Sequence, residues 1–147
     1  MKFISSNYNS DTGIASVIVQ HLGKRFTGRA VGHPEDKENW SEYAGCSYAE
    51  TRATIKALKY ERALAKEKAE ISRNFVKACE NYAGFNKDDA SAKAMYRQLN
   101  RRIKRVNDLA DQINSLYMEL DISIKRRKIV VDALQKKKAE RQNSIIE

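Results

Sequence analysis

The chain has 147 residues, room for one hydrophobic core, and 41% of them are hydrophobic while 32% are charged. That balance, with one proline and six glycines, excludes a disordered tail and fits long exposed helices. No stretch approaches the roughly 18 apolar residues of a membrane span, and Met1-Lys2-Phe3-Ile4-Ser5-Ser6 lacks the apolar segment of a secretory signal, so a cytoplasmic protein without a membrane partner is expected.

The net charge of +9 is uneven. Residues 1–46 carry five basic and five acidic side chains, whereas residues 47–147 carry 23 basic and 14 acidic ones. An anionic partner is therefore expected to meet the helical part. Cys46 and Cys79 fall in different predicted elements and indicate reduced thiols, not a disulfide framework.

In chain order, the first third predicts strands. Met1–Tyr8 is one, closed by the turn-rich Asn9-Ser10-Asp11-Thr12-Gly13. Ile14–Leu22 is β-branched and too short for a helix. Gly23-Lys24 has the Gly-X form of a tight hairpin turn, with Arg25–Val31 as the return strand. Such a small sheet must lean one face on another element. Pro34 opens a short helix expected to end near Tyr43.

At Ser47 the period changes. Ser47-Tyr48-Ala49-Glu50 reads as a capping box, followed by a proline- and glycine-free helix to Ala83 with Gly84 as its C-cap. A second helix is expected from about Asp88-Asp89, past Leu134 to near Arg141. Its seam is Leu99, Ile103, Val106, Ala110, Ile113, Tyr117, Leu120 and Ile124, with a miss at Arg127. The first helix carries two apolar stripes. One holds Tyr48, Ile55, Leu58, Ala65, Ala69, Val76 and Cys79; the other holds Ala57, Tyr60, Leu64, Ile71, Phe75, Ala78 and Tyr82. Two apolar faces require two partners, so a homo-oligomer is expected. The predicted class is α+β: an N-terminal antiparallel sheet (1–46), then two long antiparallel helices in a coiled-coil-like hairpin (47–147), as one cooperative domain.

Catalytic patterns are missing. His21 and His33 lack metal-ligand spacing, Asp88-Asp89 fits a helix cap better than a Mg²⁺ site, and no phosphate-loop or nucleophile-elbow motif occurs. Neither metal nor cofactor is called for, and a binding protein is expected instead of an enzyme. Basic clusters are what remain. Arg97, Arg101, Arg102, Lys104 and Arg105 are gathered with no acidic residue among them, and Lys125-Arg126-Arg127-Lys128 form a second group. Folding at Gly84 is expected to bring the first cluster opposite Arg73 and Phe75, with Tyr82, Phe85, Asn86 and Tyr96 at the tip. Aromatic faces for a base, an amide for its edge and arginines for phosphates are what nucleotide recognition needs. A solvated helix face laced with ion pairs uses the same residues. Arg127 sits in the seam, where it marks either an anion site on an oligomer axis or a local break where the strands dock.

His33-Pro34-Glu35-Asp36-Lys37, Ser41-Glu42-Tyr43-Ala44-Gly45-Cys46 and the run from Tyr48-Ala49-Glu50 through Arg52-Ala53 to Ala57-Leu58-Lys59-Tyr60-Glu61 resemble the phage Thoeris anti-defence family, type one. The opening Met1-Lys2-Phe3-Ile4 and the helical hairpin are similar too. The resemblance implies a hexameric sponge that binds cyclic ADP-ribose isomers intact in pockets at subunit interfaces, and in some members cyclic oligonucleotides of CBASS defence as well. It carries Arg52 over as a ligand residue, and Phe85 and Asn86 as the pocket aromatic and amide. The full set expected to bind is Arg52, Phe75, Tyr82, Phe85, Asn86, Arg97, Arg101, Arg102, Arg105 and Arg127. The rivals are a basic helical nucleic-acid-binding protein and a structural adaptor for other helices.

Overall fold

The computed structural model describes residues 1–146. Three antiparallel strands, β1 (Lys2–Asn9), β2 (Ile14–His21) and β3 (Lys24–Val31), form a sheet in the order β1-β2-β3. A 3-10 helix (Pro34–Asn39) and two long helices, α1 (Glu42–Glu80) and α2 (Ala90–Ile146), follow. The class is α+β, with a small N-terminal sheet and long helices. The chain divides into two compact units: Met1–Lys56 with the residues from Ser115 onward, and Ala57–Asn114.

In the first unit, Ala15, Val17 and Val19 alternate with half-exposed neighbours along β2, and Gly28 and Ala30 continue the buried face on β3. That face rests on the start of α1 at backbone distance. A Cβ at Gly28 would lie 1.8 Å from the Ala49 carbonyl oxygen and 2.5 Å from the Ala53 nitrogen. Gly45 approaches β2 similarly, its absent Cβ falling 3.2 Å from that of Ala15. Glycine and alanine are thus required on both surfaces. β3 is an edge strand, and α1 covers its carbonyls: Arg52 Nη1 donates to Arg29 O and Lys56 Nζ to Thr27 O, each at 2.7 Å. Cations placed on a sheet edge also oppose strand addition.

Three local expectations are corrected. The β2–β3 turn is centred on Leu22-Gly23, not Gly23-Lys24: His21 pairs with Lys24, and both central residues have positive φ, 50° and 76°. This is the twist-matched geometry of a two-residue hairpin. The first long helix also starts earlier than Ser47. Ser41 Oγ accepts the Ala44 N–H at 3.1 Å, which caps α1 at Glu42, and Ser47 lies inside the helix with its carbonyl accepting from Thr51. The short helix therefore ends at Asn39, and Trp40-Ser41 is all that separates it from α1. At the other end α1 stops at Glu80, so Gly84 (φ +95°) serves the turn after the helix and not its first cap position.

In the second unit, residues 57–80 of α1 pair with residues 90–114 of α2. Ala57, Leu58, Ala69 and Val76 are buried on one side, Ala92, Leu109 and Ile113 on the other. Leu109 is fully buried although the predicted seam passes through its neighbour Ala110, which is only half-buried. In the first unit, the seam residues Tyr117 and Ile124 are exposed to 44% and 38%. A straight α-helix drifts relative to a strict heptad, and the buried stripe follows that drift. The second predicted stripe is uncovered at Ile71 and Phe75 of α1 and at Tyr82 just beyond it, which are 66%, 59% and 74% exposed.

Candidate functional site

A pocket of about 370 Å³ lies inside the first unit, bounded by the ends of β1 and β3, the 3-10 helix, the first turns of α1 and one face of α2. Its shape begins with two glycines. A Cβ on Gly13 would sit 2.9 Å from the indole of Trp40, and one on Gly32 would sit 2.5 Å from its Nε1. The strand ends are bare so that this ring can lie against backbone, and the Gly32 N–H donates to the Gly13 carbonyl at 2.9 Å to hold them together. Trp40 Nε1 donates to His33 O at 2.8 Å. With its polar atom satisfied, the ring is a fixed apolar wall. Tyr8 and Tyr48 add two more aromatic surfaces, and the Tyr48 hydroxyl donates to Ser123 O at 3.2 Å.

The charged side comes from α2. Half-buried Arg127 donates from Nη2 to the Asn39 carbonyl at 2.7 Å, capping the end of the 3-10 helix. A guanidinium has five N–H donors, so a ligand can take others from the same fork. Lys128 lies beside it on the lining, with Asp36 and Asp132 as acceptors. Asp36 accepts from Gln135 Nε2 at 2.8 Å, and Lys138 pairs with Glu38, which fastens α2 along the 3-10 helix. The seam's miss at Arg127 is thus the place where α2 meets the segment after the sheet, a docking break in the apolar stripe. A neighbouring groove, between residues 35–39 and 134–142, has no aromatic wall and contains the Lys138–Glu38 pair.

Two polar side chains of the lining have structural roles. Ser41 caps α1, and His33 Nδ1 accepts the Glu35 N–H at 3.3 Å. Burial and then the Glu42 carboxylate raise the Cys46 thiol above its ordinary value. Among the described residues no group of three or more His, Cys, Asp or Glu side chains is placed to hold a metal ion. No helix among them is long and apolar enough to cross a membrane.

Of the ten residues expected to bind, only Arg127 lines this pocket. Arg52 shares its unit but is tied to the β3 edge. The other eight belong to the second unit, and they do not form one cluster. Arg102 faces α1, donating from Nη1 to Ser72 Oγ at 2.5 Å and to Lys68 O at 3.1 Å, and Arg105 pairs with Glu61. Arg97 and Arg101 are exposed, and Arg101 lies about 100° from Arg102 around the helix. Phe75 and Tyr82 are exposed, and Arg73 pairs with Glu70 on its own helix at 3.2 Å. Phe85 packs edge-on against Tyr96 with centroids 6.5 Å apart, and Asn86 Oδ1 accepts the Asp88 N–H at 3.0 Å to shape the turn.

Sequence reasoning does not single out Trp40, Tyr8, Tyr48, Asp36 or Asp132 as binding residues. Two signals bear on them: glycines at 13 and 32 around the chain's one tryptophan, and a cation interrupting a seam. No protein-family model, curated protein or solved structure matches the chain.

Proposed function

We propose that this chain binds a small cyclic nucleotide and holds it uncleaved, with a cyclic ADP-ribose isomer as the ligand and a phage sponge against Thoeris immunity as the role. The observation that carries the reading is the juxtaposition of the Trp40, Tyr8 and Tyr48 rings with Arg127 and Lys128 around one cavity of about 370 Å³. Aromatic faces suit an adenine, the guanidinium fork suits phosphate oxygens, and Asp36 and Asp132 suit ribose hydroxyls. The volume lies within the range of small-ligand pockets. The lack of a catalytic motif in the sequence favours retention over turnover. The resemblance around residues 33–61 supplies the ligand's identity, and cyclic oligonucleotides are a second ligand class on the same ground.

The uncovered stripe Ile71, Phe75 and Tyr82 supports self-association, with the hexamer taken from the resemblance. A monomeric mass in solution at micromolar concentration would remove that part. Ligand binding has a built-in reporter, since Trp40 is the single tryptophan. Titration with a cyclic ADP-ribose isomer should change its fluorescence, and denaturing the complex should release the ligand intact. An unchanged spectrum with no ligand recovered would overturn the reading, and linearised product formed in proportion to protein would make the chain an enzyme. The nucleic-acid alternative predicts affinity falling steeply with salt, which a pocket ligand does not.

A further inference from the structure

A row of apolar side chains on the later part of α2 is left uncovered within the first unit. Met118, Ile122 and Ile129 are 65%, 44% and 69% exposed. At about 100° per residue they fall within about 40° of one another, on the side of the helix opposite buried Leu120 and Val131. Lys125 continues the row, so its steps are four, three and four, the period of a coiled-coil seam. The residues flanking this row are sorted by charge along the helix. Glu119 and Asp121 lie towards its start, Arg126 and Lys128 towards its end. Asp121 also pairs with Lys125 one turn on, at 2.8 Å, an exposed contact of the kind that holds a side chain only weakly.

One arrangement uses both the apolar row and the order of charges. A second α2 running antiparallel, about a twofold axis between positions 123 and 124, sets Met118 against the second copy's Ile129. Ile122 then meets the aliphatic stem of the second copy's Lys125, whose amine reaches solvent. Glu119 comes beside the second copy's Arg126, and Asp121 beside its Lys128, each pair occurring twice by symmetry. A parallel pair would instead stack Lys125 on its own counterpart in the seam, where like charges repel.

We propose that this face of α2 recognises a second copy of the chain through the same face, in antiparallel register. The pairing rests on the self-association proposed above and adds to it a contact with a defined direction. It also reaches the ligand site. Lys128 and Asp132 lie on one flank of the row and line the Trp40 pocket, so the second helix runs along the rim of that pocket and brings its Asp121 to Lys128.

Sedimentation equilibrium of the full chain at low salt tests the pairing by charge exchange. Glu119→Arg and Arg126→Glu should each weaken self-association about tenfold, and the double variant Glu119→Arg/Arg126→Glu should return to within about threefold of wild type. The two positions are two turns apart and do not meet on one helix, so recovery requires contact between chains. Ile129→Asp, which places a charge in the seam, should weaken association about a hundredfold. If that variant fails to fold by circular dichroism, the charge exchange decides. Direction is read by oxidation in a background carrying Cys46→Ala and Cys79→Ala: Met118→Cys chains should link to Ile129→Cys chains in a mixture, and neither to itself. A monomer throughout would remove this contact and the self-association reading together. An oligomer indifferent to Ile129→Asp, a double variant no better than the single ones, or Met118→Cys chains linking to themselves would overturn the antiparallel pair alone.

Discussion

The two units hold their elements together with opposite materials. The sheet-bearing unit uses absence: Gly28 against Ala49 and Ala53, Gly45 against Ala15, Gly13 and Gly32 against Trp40. The hairpin unit uses reach, with Arg102 spanning to Ser72 and Lys68 and Arg105 to Glu61. Backbone contact leaves little freedom, so a wall built this way is preorganised for a ligand. Contact through long side chains leaves space between helices, and a cavity beside Arg62 is such a space.

Gly28→Ala should break the comparison at its strongest point. The new methyl meets backbone at 1.8 Å, with no flexible side chain to move aside, and overpacking of this kind should cost about 3 kcal/mol or more. Denaturant unfolding measures it, and a loss below about 1 kcal/mol would show that the sheet can lift from α1. Next in size, Arg102→Met should destabilise the hairpin by about 2 kcal/mol, the usual range for bonds to a charged donor. Arg127→Met loses a similar hydrogen bond to Asn39, but here ligand affinity should fall most, by about 10- to 150-fold. An unchanged affinity would detach the cation from the Trp40 pocket.

The same contrast explains why the sequence is readable for elements and less so for sites. Strands and the buried apolar stripe of α1 depend on local period, and residues 1–31 and 48–79 disclose them, with the β2–β3 turn displaced by one residue. The start of α1 is harder to read, because Ser41 and Ser47 can each cap a helix and a glycine at 45 disfavours the longer one. The role of Gly45, admitting Ala15, is a tertiary fact. The pocket brings Tyr8 to Arg127 across more than a hundred residues, a pairing that no local pattern encodes. Charge density draws attention to residues 97–105, where the helix period itself separates Arg101 from Arg102.

The smallest effect concerns the tip of the hairpin. Burial, and then the Glu80 carboxylate, raise the Tyr96 phenol above its ordinary 10.0. A raised folded-state value favours the protonated phenol, so its contribution is complete below the unfolded value and fades as pH rises through the folded one. Wild type should lose stability relative to Tyr96→Phe only above about pH 10. Parallel curves for the two proteins across that range would show that the folded surroundings do not raise this phenol.

Gly28 and its fellow glycines constrain how this protein can change over generations. A Cβ at Gly13 or Gly32 would collide with the Trp40 ring, so those two positions of the Trp40 pocket are closed to gradual variation. The α2 side is made of side chains at 124, 127, 128, 131 and 132, each replaceable without moving the backbone. Variation in this pocket would therefore fall on its side-chain walls, the five positions of α2 among them, and spare the two glycines.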